Sequence, residues 1–216
     1  MQERMDREEM KRLKAEHERR PLRIHELVPD FTLEDVWALP VQGGAEDFPA
    51  FLEFIGSMDP TETDNRAARF LWNLRNRLGA LLDLGEISSP ADQSGEAALP
   101  IPGTDEPSLR GRLPADLRGT AAGFDFESLP FVPLYRAERE AAAEIGNKTV
   151  HGVVHLSWVE QGDGRYGGQM AVYVKPRGAF GRAYMAAIKP FRYLVVYPAL
   201  MREVGRAWAA RGKMPA

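Results

Sequence analysis

The stretch NKTVHGVVHLSWVEQGDGRYGGQMAVYVK, residues 147–175, decides the fold of this chain. Two apolar segments rich in β-branched residues flank QGDG at 161–164, a glycine-rich connection of the length found in β-hairpins. We therefore predict two antiparallel strands joined by a tight turn. The other segments of the chain are assigned around this hairpin.

Further strands and helices are expected in a definite order. Residues 30–41 alternate imperfectly between apolar and polar side chains and predict a first strand, and residues 131–137 predict another. Two helices are expected after the first strand, at 43–56 and at 61–85, where apolar residues recur at steps of three or four. Residues 139–145 are ambiguous, because Ala and Glu favour a helix while the Gly-Asn turn that follows favours a strand; we predict a strand.

The C-terminal part of the chain predicts one long amphipathic helix. Apolar residues recur at steps of three or four across residues 180–208. Pro190 and Pro198 are expected to kink or divide this helix, because proline cannot donate the helical hydrogen bond. The fold class that follows is α+β, an antiparallel sheet packed on a long C-terminal helix.

Two segments differ in composition from this predicted domain, which spans residues 21–212. Residues 1–20 alternate charges of both signs and predict a charged N-terminal arm, either a helix stabilised by i, i+4 pairs or a disordered segment, outside the core. Residues 85–128 hold eight acidic and three basic residues and many Gly and Pro, which predicts a flexible acidic insertion or a partly ordered flap.

Composition narrows the class of protein. The net charge is −3, there is no cysteine, and no apolar run is long enough to cross a bilayer. We expect a soluble cytoplasmic protein without disulfides, thiolate chemistry or membrane segments. Residues 175–216 hold nine basic residues and one acidic residue, but few aromatic residues lie among them, so a nucleic-acid partner is not favoured.

Two of the four histidines, His151 and His155, lie on the same face of the predicted strand 149–159. They are about 13 Å apart at the rise of a strand, too far to share one metal ion, and no metal or cofactor motif accompanies them. Each could move a proton or bind a polar ligand, or simply hydrogen-bond a residue of a neighbouring strand. Glu140 and Glu144 also share a face; they could act as an acid/base pair, but we expect them to pair with Arg or Lys.

The C-terminal helix carries Tyr184, Tyr193 and Tyr197 together with Lys189 and Arg192. Tyrosines on a largely apolar helix can line a ligand cavity while presenting hydroxyl groups to it. A Tyr-xxx-Lys dyad, GxSxG, GxGxxG and the phosphate-loop pattern do not occur in the sequence. The motifs tested therefore give no evidence for an enzyme.

Several of these segments resemble a bacterial family known as domain of unknown function 2867. The most specific matches are Asn147-x-Thr149-Val150-His151-Gly152 and the segment YMAAIKPFR at 184–192. The resemblance is close over residues 130–208 and looser over 23–84. It implies a helix-grip architecture similar to the START and pollen-allergen superfamily, in which a curved antiparallel sheet wraps around a long C-terminal helix. It implies no established activity.

Three functions are weighed. The first is binding of a small, mostly apolar molecule between the sheet and the C-terminal helix. The second is proton transfer by His151 or His155, as in a cyclase or isomerase, and the third is homodimerisation or docking of a partner. Which face of strand 149–159 is buried is left open by periodicity. The candidate ligand-binding residues are Glu144, His151, His155, Tyr184, Arg192, Tyr193 and Tyr197.

Overall fold

The computed structural model of the chain describes residues 7–58, 107–146 and 149–211. Helices α1 and α2 come first, followed by strand β1 and helix α3; strands β2 to β5 come next, and the C-terminal helix consists of α4, a π-helical turn and α5. The bounds are α1 Arg7–Arg19, α2 Ile24–Leu27, β1 Thr32–Gly43, α3 Phe48–Gly56, β2 Val132–Arg136, β3 Glu140–Gly146, β4 Val150–Gly162, β5 Arg165–Pro176, α4 Gly178–Phe191, the π turn Arg192–Val196 and α5 Tyr197–Arg211.

The five strands form one antiparallel sheet in the order β1-β5-β4-β3-β2. The predicted hairpin is present as β4 and β5, in register from Val150 opposite Pro176 to Gly162 opposite Arg165. Its turn places Gly162, Asp163 and Gly164 at positive φ, a conformation that glycine adopts freely and that Asp tolerates. The predicted α+β class, with its long C-terminal helix, is confirmed.

Both faces of the sheet are covered. The face that we call the C-terminal-helix face packs against α3, residues 124–126 and α5, and its core includes Trp37, Leu156 and Trp158. The face that we call the N-terminal-helix face packs against α1, α2 and residues 109–117. The molecule therefore has a sheet between two layers, and side chains at alternate positions of each strand enter different cores.

Strand β3 shows why the ambiguous segment REAAAEI forms a strand. Ala141 and Ala143 enter the C-terminal-helix face while Ala142 enters the N-terminal-helix face, and all three are fully buried. Small side chains allow the layers to approach a strand that is covered on both sides. Tertiary packing therefore outweighs the helical preference of alanine here.

The expectation that residues 1–20 stay outside the core is wrong. Residues 7–19 form a helix, as one of the two alternatives predicted, but Leu13 and His17 are buried against the sheet. The surface pairs Glu8–Lys11 and Arg12–Glu16 stabilise the exposed side of this helix. A helix with few apolar residues thus joins the core through Leu13 and His17, at a spacing of four residues.

The segment 85–128 is only partly as predicted. Residues 107–128 pack on the sheet through short 3-10 helices at Leu109–Arg112 and Ala115–Leu117, with Leu109, Leu113 and Leu117 buried. The leucines, spaced by four residues, supply the apolar contacts with the sheet. The high Gly and Pro content of the segment had argued against such contacts. Residues 85–106, and the helix predicted at 61–85, lie outside the described residues.

Candidate functional site

A buried carboxylate on β1 organises the first group of polar residues. Asp35 is fully buried and lies on the C-terminal-helix face. The Tyr197 hydroxyl donates to its Oδ2 atom at 2.7 Å, the Tyr193 hydroxyl donates to Oδ1, and the Arg192 guanidinium forms an ion pair with it. Arg192 also donates to the Tyr197 hydroxyl at 3.1 Å. One carboxylate thus binds three side chains of the C-terminal helix.

The π-helical turn explains how these side chains converge. In an α-helix, residues five positions apart point about 140° away from each other. In the turn Arg192–Val196 the Tyr197 N–H bonds to the Arg192 carbonyl, five residues back, and the wider turn brings Arg192 and Tyr197 toward the same side. The helix continues through Pro190 and Pro198 and is not divided at either; the irregularity lies in this turn, between the two prolines.

Charge in this group is balanced. Asp35 and Arg192 carry opposite charges, and both are largely removed from water. Burial raises the pKa of Tyr197 and of Tyr193, an effect that the nearby Arg192 charge partly offsets. Both hydroxyl groups therefore stay protonated near neutral pH and remain hydrogen-bond donors to the carboxylate.

An apolar floor lies beside this group. Val172 of β5 is opposite Asp35 in the register, and Met170 is opposite Trp37. On the other side of β5, the same two residues are opposite Val154 and Leu156 of β4. Met170 and Val172 are only half-buried, although β5 is an interior strand. The centre of the C-terminal-helix face is therefore less tightly covered than its surroundings.

Trp37 is next to the apolar floor and also contacts the polar residues around Asp35. Its ring packs on Tyr197, with centroids 4.3 Å apart, and also contacts Tyr193. The indole Nε1 atom is buried and has no hydrogen-bonding partner among the residues that the structure describes. A buried donor without an acceptor is costly, by about 1–3 kcal/mol, which makes this N–H a natural contact for a polar atom of a ligand.

The two histidines lie on the opposite face of the sheet. His155 is fully buried, and its Nε2 atom is 2.8 Å from Glu140 Oε2. His151 Nε2 is 3.0 Å from Glu144 Oε2, which also accepts the backbone N–H of Leu109 at 3.0 Å. The expected pairing of both glutamates with Arg or Lys is wrong, because on this covered face each carboxylate lies within hydrogen-bond distance of an imidazole of the adjacent strand.

Further groups hold the Glu140 carboxylate. The Tyr135 hydroxyl donates to its Oε2 atom at 2.9 Å, and the Arg23 backbone N–H donates to Oε1 at 2.9 Å. Desolvation opposes ionisation of Glu140, but the hydrogen bonds from His155 and these donors lower its pKa on balance. Burial lowers the pKa of His155, and the Glu140 contact opposes that effect. This arrangement favours an ionised Glu140 beside a neutral imidazole.

A third histidine, His17 of α1, was missed by the sequence reasoning. Its Nδ1 atom is 3.1 Å from Gln169 Oε1, its Nε2 atom is 2.9 Å from the Tyr173 hydroxyl, and its ring packs on His155 with centroids 5.2 Å apart. Burial, reinforced by the nearby imidazole of His155, lowers the pKa of His17 to about 3. The signal that could have found it is the spacing of Met10, Leu13 and His17, a stripe on one side of a helix.

The structure therefore separates the predicted site residues into two groups. Arg192, Tyr193 and Tyr197 meet Asp35 on the C-terminal-helix face, whereas the two histidines and Glu144 lie on the N-terminal-helix face. Tyr184 is half-buried on α4 and belongs to neither group. The question left open for strand 149–159 is answered: both of its faces are buried, and the histidines face α1 and residues 108–109 and not the C-terminal helix.

The described ranges 7–58, 107–146 and 149–211 contain neither a metal-binding cluster nor a membrane-spanning helix. In them, no cluster of three or more His, Cys, Asp or Glu side chains is arranged to hold a metal ion. No helix within them is both long and apolar enough to cross a bilayer.

Comparison with known proteins gives one match. No curated protein and no solved structure matches the chain. Residues 27–199 match the family described as "Protein of unknown function (DUF2867)". This range contains strands β1 to β5, helix α4 and the π turn, and it begins after α1. Since the match covers most of the sequence, the chain belongs to the DUF2867 family.

Proposed function

We propose that the protein binds a small, mostly apolar molecule between the sheet and the C-terminal helix. The half-buried pair Met170 and Val172 carries this proposal. On the same strand, the residues that point to the other face, Gln169, Ala171 and Tyr173, are all buried. An interior strand is thus fully covered on one side and incompletely covered on the other, which suits an apolar site.

Helix α4 forms the opposite wall of this site. Only Gly181 and Met185 of α4 are buried, whereas Tyr184 and Ile188 are half-buried. The helix is fixed at its start, where Gly181 approaches the Thr149 carbonyl so closely that a Cβ atom would overlap it. Its next three turns therefore rest less closely on the sheet than α5, where Met201 and Val204 are buried.

The polar end of the site indicates the chemistry of the ligand. The Trp37 N–H is a donor, so the ligand should carry one acceptor such as a hydroxyl or carbonyl oxygen. Asp35 and Arg192 neutralise each other, and two tyrosine hydroxyls already bind the carboxylate. An uncharged molecule with one oxygen at its end fits these constraints best.

Two measurements test the proposal. Native mass spectrometry of the purified protein detects a copurifying molecule, and fluorescence measures binding of 2-naphthol in a titration. Val172→Phe should fill the floor and abolish binding of 2-naphthol. Trp37→Phe should weaken binding about fivefold, because one hydrogen bond contributes about 1 kcal/mol. Trp208→Phe is the matched control, since the Trp208 indole donates to the Gln42 carbonyl. Failure of 2-naphthol to bind, with no copurifying molecule, would contradict the proposal.

Homodimerisation is a second candidate. The four large exposed apolar side chains among the described residues all lie between positions 180 and 196: Phe180, Phe191, Leu194 and Val196. Apolar side chains concentrated in this way mark interaction surfaces. Light scattering on the full chain and on Phe191→Ser tests this function. A monomer at high concentration would count against it.

Proton transfer by His151 or His155 stays a prediction with less support. Both imidazoles are buried and bonded to glutamates, so a substrate could reach them only if a covering element moved. Once a substrate is known, His155→Gln or His151→Gln should abolish the reaction if the substituted histidine transfers the proton. Full activity in both variants would exclude the two histidines from the chemistry.

A further inference from the structure

Two polar side-chain atoms of strand β4, on the N-terminal-helix face, lack partners within the described parts of the chain. These are the Nδ1 atom of His155 and the hydroxyl of Ser157, both buried. The two residues are two positions apart on β4, so their side chains point to the same face. Buried polar atoms are nearly always hydrogen-bonded, and two neighbouring exceptions indicate a molecule that binds between them.

The partners of His155 fix what its free nitrogen can do. Glu140 also binds the Tyr135 hydroxyl and the Arg23 N–H, as expected of an ionised carboxylate. The Nε2 atom of His155 therefore carries the proton and donates it to Glu140, at 2.8 Å. The Nδ1 atom then presents a lone pair, which can only accept a hydrogen bond. A molecule bound there must be a donor, and the Ser157 hydroxyl can complement either a donor or an acceptor.

The surroundings of His155 limit the size and charge of such a molecule. His155 lies between Ala142 and Ala171 in the register, and both of these side chains are a single methyl group, which leaves room for only a small molecule beside the imidazole. The ionised Glu140, 2.8 Å from His155, disfavours an anion at this position, and the nearby Arg20 guanidinium, which donates to Gln169 at 2.9 Å, disfavours a cation. A small, neutral molecule fits better than an ion.

Helix α1 covers this part of the sheet. Its His17 ring contacts His155, yet only Leu13 and His17 of α1 are buried. The helix also lies outside residues 27–199, the range that matches the family. A cover with so few apolar contacts can open at small energetic cost.

We propose that a small neutral hydroxyl compound binds on the N-terminal-helix face, between the His155 Nδ1 atom and the Ser157 hydroxyl, with helix α1 as its cover. The compound donates its hydroxyl hydrogen to Nδ1 and exchanges a hydrogen bond with Ser157. This site lies on the opposite face of the sheet from the apolar site described above. The two proposals can therefore succeed or fail separately.

The first test compares two serine variants by urea unfolding. With 1,2-ethanediol present, Ser157→Ala should lower the midpoint, because it removes a partner of the bound compound. If nothing binds there, the same variant removes an unpaired buried hydroxyl and should raise the midpoint or leave it unchanged, which would overturn the proposal. Ser108→Ala is the control, because Ser108 donates to Glu144 and its loss should lower the midpoint in either case.

The second test identifies the class of compound with 1,2-ethanediol as the probe. In the wild-type chain this diol should raise the melting temperature more than in Ser157→Ala, and it should slow acylation of His155 by diethyl pyrocarbonate. Acylation of His155 should be at least several-fold faster in Leu13→Ala, which loosens α1, while acylation of His151 changes little. An equal effect of the diol on wild type and Ser157→Ala would mean that water alone occupies the site. That result, or an unchanged acylation rate in Leu13→Ala, would overturn the proposal, whether or not 2-naphthol binds the other face.

Discussion

Acidification is expected to destabilise the protein through His17. The folded state holds this imidazole neutral, with a pKa of about 3, whereas an unfolded chain has a value near 6.5. Because the unfolded state binds the proton more tightly, the contribution of His17 to stability is full above pH 6.5. It is lost as the pH falls from 6.5 toward 3 and levels off below that. At pH 5 the loss is about 2 kcal/mol, at 1.36 kcal/mol for each unit below 6.5.

The charged and titratable groups around His17 also lower its pKa, and only the hydrogen bond with Gln169 opposes them. His155 of β4 and His25 of α2 face it, and Arg20 lies one turn along α1, so a charged imidazole at this position meets other cationic or potentially cationic groups. The hydrogen-bond partners of His17 are Gln169 and Tyr173, and Glu140 is bonded to His155 instead. No close carboxylate within the described residues therefore compensates a proton on His17.

Urea unfolding at pH 7.5 and pH 5.0 measures this effect. His17→Gln retains a polar side chain that can bond to Tyr173 and does not titrate, so the fall in stability between the two pH values should shrink by about 2 kcal/mol. Arg19→Gln, an exposed change on the same helix, should leave the fall unchanged. If His17→Gln and wild type showed the same pH dependence, a neutral His17 buried between α1 and the sheet would be refuted.

Two further predictions concern the C-terminal helix. Asp35→Asn should destabilise the fold by about 3–5 kcal/mol in urea unfolding, because it leaves the Arg192 charge without its partner in a largely buried position. Asp116→Asn, which breaks an exposed pair, should change stability little. Gly181→Ala should cost about 1–3 kcal/mol and increase hydrogen exchange in α4, because a Cβ atom would overlap the Thr149 carbonyl oxygen. A fully stable Gly181→Ala variant would show that α4 is not fixed at this point.

Much of the architecture could be predicted because it is encoded locally. The β4–β5 hairpin follows from alternating apolar residues around a glycine-rich turn, and the C-terminal helix follows from its apolar period. Both signals involve residues close in sequence. For β3, the position of REAAAEI before Gly-Asn was a better guide than alanine's preference for helices, but burial of its alanines on both faces of the sheet decides the strand.

The candidate site was harder to predict because it depends on contacts between distant segments. Whether the histidine face of strand 149–159 is buried was left open, because α1, which covers it, has a composition typical of an exposed helix. Asp35 was missed because it follows Glu34 in a segment whose alternation is imperfect. A register shift between Leu33 and Asp35 changes which of the two acids points inward. The convergence of Arg192 and Tyr197 depends on a π turn, which no apolar period reveals.

The two edges of the sheet have a consequence for the behaviour of the protein in concentrated solution. The outer strands β1 and β2 each contain a proline, Pro40 and Pro133, and proline has no backbone N–H to offer to an incoming strand. On β2 the Pro133 carbonyl is also occupied, because Arg110 donates to it from Nε at 3.2 Å and from Nη2 at 3.1 Å. Strand-by-strand growth into fibrils is thereby discouraged at both borders, and replacing Pro133 by valine should shorten the lag time of thioflavin-T-positive aggregation.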